Sequence, residues 1–196
     1  MYVGKKSLLF GVHQFLWHPA TVWFAWRHLY GVPSWQETVC IIIHDWGYWF
    51  SPDMDGPAGR KHPEFAAELA GKLLGQQYLE LCLYHSRHYA RQAGAEPSAL
   101  CWADKLSILF EPWWLYLPRA WISGELTEYR LVAAATGFLP TTASHREWFH
   151  QVKTLLVKQG RQQQDELYNG SLRPNLRRRE NVKSCRPQLY GNYQNR

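Results

Sequence analysis

The chain has 196 residues, 46% of them apolar, and a formal net charge of +6. That length supports one domain with a sizeable core and argues against two. The charge does not describe a basic globular face: Arg173, Arg177, Arg178, Arg179, Lys183, Arg186 and Arg196 stand against Glu180 alone, and this segment carries the whole excess. Residues 1–170 are formally neutral, which weakens a nucleic-acid reading of the main domain.

The opening stretch "MYVGKKSLLFGVHQFLW" sets two lysines before an apolar run, as a signal peptide would. His13 and Gln14 interrupt the run and no small-residue cleavage site follows, so the sequence predicts a short helix over Ser7–Trp17 instead. Pro19 suits a helix N1 position, and Val22, Trp23, Ala25, Trp26 and Leu29 keep helical spacing to Tyr30. Gly31-Val32-Pro33 breaks that helix. Ser34 with Glu37 reads as a capping box for Trp35–His44. From Gly47 to Lys61 the chain is rich in Gly, Pro and Asp and reads as a loop.

Pro63–Leu74 is amphipathic and Gly75 closes it; Gln77–Tyr84 leads into "HSRHYA". Arg91–Pro97 reads as a polar connection, and Ser98 as the cap of a helix holding Leu100, Cys101, Ala103 and Leu106. Pro112 and Pro118 break "FEPWWLYLPRAW", which is expected to shape a pocket wall. Gly124–Thr136 and Ser144–Leu167 read as helices. The expectation is an all-α domain over 1–170, followed by a basic, polar tail over 171–196 with little structure of its own. No run of about 18 uncharged apolar residues occurs, so no membrane span is expected. Of Cys40, Cys82, Cys101 and Cys185, none forms a CxxC pair and three lie in apolar helical contexts, which fits small core residues in a reducing cytoplasm.

Six residues stand out by position. His18, the pair His44–Asp45, His62, His85 and Asp104 each fall at the end of an apolar helix or in its first or last turn. Side chains so placed can converge while the helices pack elsewhere. Imidazole and carboxylate together suit Mn, Fe, Co, Ni or Zn. The bland reading of a His-Asp dipeptide is chance; six such residues in order at helix ends make a metal site the sharper reading. His13 rivals His18 for the first position, although inside an apolar run it reads more simply as a core or partner-facing histidine. His88 lies three residues from His85 and is a rival there, or a phosphate contact. His28, His145 and His150 read as structural.

The order His…His-Asp…His…His…Asp, in "WHPATVWFAWRHLYG", "IIIHDWGYW", "RKHPEFAAEL", "LCLYHSRHYA" and "LCWADKLSILFEP", resembles the HD-domain superfamily of metal-dependent phosphohydrolases. The resemblance runs from about His18 to Pro112, about half the chain. It implies an HD-type helical bundle with a metal site at converging helix ends. His18, His44, Asp45 and Asp104 would hold a first divalent ion. The implied ions number one or two: some members of the superfamily hold one ion on those four ligands, and in the binuclear subgroup that includes bacterial dinucleoside tetraphosphate hydrolases His62 and His85 would hold a second, shared through Asp45 as the bridging ligand. The implied activity is cleavage of a phosphoester or phosphoanhydride of a nucleotide or related small molecule by a metal-activated hydroxide, with Asp45 catalytic.

Lys61 and Arg87 are the candidate cations that would offset phosphate charge. Arg60 and Lys105 share that proximity, but Lys105 points about 100° away from Asp104 on a helix. Glu64 and Glu68 are candidate proton carriers. Trp46, Tyr48 and Trp49 would stack on a base or cover the core. The fold family also hosts di-iron oxygenases with the same six ligands, and a non-catalytic module that binds a nucleotide or partner is a third reading. The tail is a candidate weak contact for RNA or an acidic partner.

Overall fold

The computed structural model describes residues 2–54 and 56–168, and every regular element in that range is helical. The helices are α1 (Val3–Phe10), α2 (Trp17–Tyr30), α3 (Trp35–Ile43), α4 (His62–Leu74), α5 (Gln76–Leu83), α6 (Arg87–Gln92), α7 (Ala99–Leu106), α8 (Trp113–Ser123), α9 (Glu125–Ala135) and α10 (His145–Tyr168). Tight 3-10 turns occupy Trp46–Phe50, Gly59–Lys61 and Ser107–Phe110. The basic tail and Cys185 lie outside the described residues. Among the described residues, no helix is long and apolar enough to cross a membrane.

Local chemistry explains most boundaries. Ser34 Oγ accepts from the Glu37 N–H at 3.2 Å and Glu37 Oε2 accepts from the Ser34 N–H at 2.7 Å, so the capping box closes reciprocally. Gly75 ends α4 at φ 109°, a conformation that costs a glycine little. Four sequence-based expectations differ in substance. The first helix runs Val3–Phe10, because the chain turns at Gly11 well before Trp17. Arg87–Gln92 forms α6, which shortens the expected polar connection. Ser98 precedes α7, but its hydroxyl donates to the Leu81 carbonyl instead of capping the helix, tying α7 to α5.

The fourth concerns Pro118, which sits inside α8 and does not break it. The proline removes one helical donor, while Arg119 Nε donates to the Leu115 carbonyl at 3.1 Å and Arg119 Nη2 pairs with the buried Glu111 at 2.6 Å. Pro112 does act as expected, standing as the extended residue just before α8.

Two apolar centres organise the helices. The larger is built by α2, α3, α4, α5 and α7 around Val22, Trp26, Ile41, Ala66, Cys82 and Leu100. Each fully buried aliphatic side chain there contributes about 1.5–3 kcal/mol. Alanines at 66, 67 and 70 keep one face of α4 thin, and a Cβ on Gly71 would come within 2.9 Å of Leu79, so α5 packs close. The smaller centre joins α8, α9 and α10 through Tyr116, Ala120, Leu126, Trp148 and Phe149, with Val12 reaching in from the chain after α1. Cys40, Cys82 and Cys101 are free and buried, as small core residues. The proposed ligands lie where helices of the larger centre end.

Candidate metal centre

Each of the six residues reaches one place from a different local setting. His18 is the second residue of α2, His44 caps α3, and Asp45 follows in the turn. His62 opens α4, His85 stands just beyond the end of α5, and Asp104 lies in the last turn of α7. The helices α3, α5 and α7 therefore point their C-terminal, electronegative ends at the same region, which favours a cation.

Two groups of ligand atoms result. His18, His44, Asp45 and Asp104 form one; Asp45, His62 and His85 form the other; within each group the atoms lie within 4.8 Å of one another. Asp45 serves both through different oxygens. Oδ2 lies 3.2 Å from both His18 Nε2 and His44 Nε2, while Oδ1 lies 3.6 Å from His62 Nε2 and 3.7 Å from His85 Nε2. Asp104 Oδ1 closes the first group at 3.1 Å from His18 Nε2 and 3.9 Å from His44 Nε2.

The backbone decides which imidazole nitrogen faces inward. His44 Nδ1 lies 2.7 Å from the Ile41 carbonyl, His62 Nδ1 lies 2.6 Å from the Gly59 carbonyl, and His85 Nδ1 meets the Cys82 carbonyl. A carbonyl only accepts, so each Nδ1 carries the proton. Ile41 and Cys82 sit in the last turns of α3 and α5, where carbonyls lack helical partners. The same hydrogen bond thus finishes a helix and leaves an Nε2 lone pair directed at the cluster, the arrangement a metal ligand needs.

What the structure leaves unpaired tests the fit to a cation. His18 Nε2, His44 Nε2 and Asp45 Oδ2 are buried without a hydrogen-bond partner. Such orphans are costly unless something neutralises them. In the second group His62 Nε2 and His85 Nε2 stand 2.9 Å apart, although both Nδ1 atoms hold the protons. Two lone pairs at that range repel unless a cation offsets them, and imidazole nitrogens are common ligands of such ions. The buried His and Asp groups are therefore fit to hold a metal ion.

Electrostatics agree with the geometry. Burial alone would raise the Asp45 pKa, but the charges of His44 and His13 outweigh it and hold the carboxyl well below its usual range. Burial would lower His44, but Asp45 and then Asp104 hold it well above the usual histidine value. Burial, and next the neighbouring His85, push His62 down to about 3.

The loop after the pair is shaped by close approach. A Cβ on Gly47 would come within 2.0 Å of the His62 carbonyl oxygen, so the glycine lets the ends of α3 and α4 meet. Tyr48 stacks on the His62 ring at 4.0 Å and 15°, Trp46 packs on the larger core, and Trp49 packs beside Leu8 and Met54. All three aromatics thus serve packing.

The other candidates lie around the cluster. Lys61 is exposed immediately before His62. Arg87 is half-buried at the start of α6, where its charge and that of Lys105 act on the buried Cys101 thiol. Arg60 is exposed. Glu64 accepts from the Tyr89 hydroxyl and Glu68 pairs with Lys72 at 3.8 Å, so both acids are engaged at the surface. His88 packs against Tyr89, and His145 and His150 are exposed on α10.

One feature had no signal in the sequence beyond a polar residue in an apolar run. His13 faces Asp45 Oδ2 at 4.0 Å while its Nδ1 binds Glu125 Oε1 at 2.8 Å. Glu125 opens α9, 112 residues further along the chain.

Comparison with protein-family models, with curated proteins and with solved structures finds no match to this chain.

Proposed function

We propose that the cluster is a dinuclear metal centre of the HD type and that the chain is a metal-dependent phosphohydrolase acting on a nucleotide or a related small phosphoester in the cytoplasm. The observation that carries this reading is the division of Asp45, with Oδ2 turned to one set of ligands and Oδ1 to the other. A carboxylate so divided would suit a bridge between two cations, and the order of these residues along the chain resembles that of the HD superfamily. Bound divalent ions would supply Lewis acidity and lower the pKa of a water between them.

The chain's own residues do the rest. The Nδ1–carbonyl bonds of His44, His62 and His85 hold three imidazoles in one tautomer, so no reorganisation is needed when ions arrive. The open side of the cluster is marked by Asp104 and His62, whose side chains are 22% and 12% exposed against 0% for His44. A phosphoryl group entering there meets the ligands from solvent, and Lys61 and Arg87 are the nearby cations proposed to offset its charge.

The test is a panel of nucleotides and phosphoesters read as phosphate release, after loading with Mn, Fe, Co, Ni or Zn in turn. We expect release from at least one substrate and none from Asp45→Ala. Oxygen consumption by the iron-loaded protein without phosphate release would replace this reading with an oxygenase.

A further inference from the structure

His13 stands outside the six ligands and faces them. Its Nε2 is 4.0 Å from Asp45 Oδ2, the oxygen that His18 and His44 approach at 3.2 Å. Its ring centroid is 5.1 Å from that of His18 and 5.2 Å from that of Tyr48. The side chain is 15% exposed against 4% for His18, so it stands toward the open side of the cluster.

The other nitrogen of the ring is committed elsewhere. His13 Nδ1 lies 2.8 Å from Glu125 Oε1. Glu125 is wholly buried and also accepts from Ser7 Oγ at 2.6 Å, from the Val12 N–H at 2.9 Å, from Ser123 Oγ and from the Tyr129 hydroxyl at 3.3 Å. A carboxylate accepts only, so Nδ1 is the donor and Nε2 is the free end. The surroundings accommodate the arrangement: Ser7 Oγ accepts from the His13 backbone N–H at 3.3 Å, and a Cβ on Gly11 would come within 2.3 Å of Glu125 Oε2. A buried carboxylate that also accepts from four other donors holds the imidazole by that one nitrogen in a fixed orientation.

We propose that His13 contacts a phosphoryl oxygen held beside Asp45, and that Glu125 positions it. The inference rests on the phosphohydrolase reading above and adds a seventh side chain to that site. Hydrogenphosphate offers both acceptor oxygens and an O–H donor, so Nε2 finds a partner whether or not it carries a proton. The geometry separates His13 from the ligands: its approach to Oδ2 is longer than theirs, and its Nδ1 is held by a carboxylate in place of a helix-end carbonyl.

The test is calorimetric titration of inorganic phosphate into the metal-loaded full-length protein, with metal content and melting temperature measured on the same samples. His13→Asn keeps an amide donor where Nδ1 stands and removes the group facing the cluster. We expect unchanged metal content and a phosphate affinity weakened about tenfold or more, as for a lost hydrogen bond to a charged group. Glu125→Gln, with His13 intact, should weaken phosphate to a smaller degree at unchanged metal content. Unaltered phosphate affinity in both variants would overturn the proposal and leave the pair as a structural brace. Loss of metal from His13→Asn would overturn it in favour of His13 as a ligand. Failure of the wild type to take up metal would sink the phosphohydrolase reading itself, and this inference with it.

Discussion

Asp45 and His44 are chemically unlike their neighbours in the run Ile41–Phe50, and the burial of both has an electrostatic consequence. His44 is fully buried, and although burial would lower its pKa, the facing carboxylates of Asp45 and then Asp104 raise it well above 6.5. A proton on its Nε2 therefore competes with a metal for the same lone pair. Because the folded-state pKa is raised, the ion pairs stabilise the metal-free fold below pH 6.5 and are lost as pH rises through the raised value. Metal affinity should run the other way and climb with pH. Calorimetry of metal binding at pH 7 in buffers of different ionisation enthalpy should reveal proton release; heats independent of the buffer would contradict this assignment. Gly47 makes a second residue-scale prediction. With the His62 carbonyl 2.0 Å from a Cβ at that position, Gly47→Ala should destabilise by about 1–3 kcal/mol in a denaturant melt. The six proposed ligands were legible because each polar side chain interrupts or ends an apolar helix. The His13–Glu125 pair was not, because nothing local connects residues 112 apart.

Helices α3 and α8 show what local sequence can and cannot specify. The start of α3 was readable from Ser34 and Glu37, since a capping box is completed within four residues. The course of α8 was not, because Pro118 predicts a break that does not occur. The next residue, Arg119, ties the helix to the chain before it, with Nη2 2.6 Å from Glu111, whose side chain is 2% exposed. Removing the arginine leaves a buried, unpaired carboxylate. Arg119→Met should therefore cost about 3–5 kcal/mol, and adding Glu111→Leu should recover much of it. Equal stability of the single and double variants by chemical denaturation would show that the pair does not hold α8 in place. The cluster is likewise built from helix ends: α3 and α5 each spend a last-turn carbonyl on a histidine Nδ1, so the termination of each helix and the orientation of its ligand are one interaction.

At the scale of the molecule, the excess basic charge and the proposed ligands fall in different parts of the sequence. All six proposed ligands and both apolar centres fall within residues 2–159. Deleting 171–196 should leave metal content and phosphate release within about twofold of the full chain; loss of both would place part of the working site in the tail. The all-helical class followed from hydrophobic periodicity, whereas which helices share a core was not specified by it. The seat of α1 between α8 and the turn at Trp46–Phe50 did not follow from it either, since it depends on Ser7 and Gly11 meeting Glu125 and on Gly4 lying against the Tyr48 carbonyl.

The central claim is that Asp45 joins two cation sites. Elemental analysis of the folded, metal-saturated protein tests it most directly, with Asp45→Ala and His85→Ala alongside. The account predicts about two divalent transition ions per chain in the wild type, about one in His85→Ala and close to none in Asp45→Ala. A wild-type protein that folds and holds no transition metal, or an Asp45→Ala variant that keeps its full complement, would contradict it.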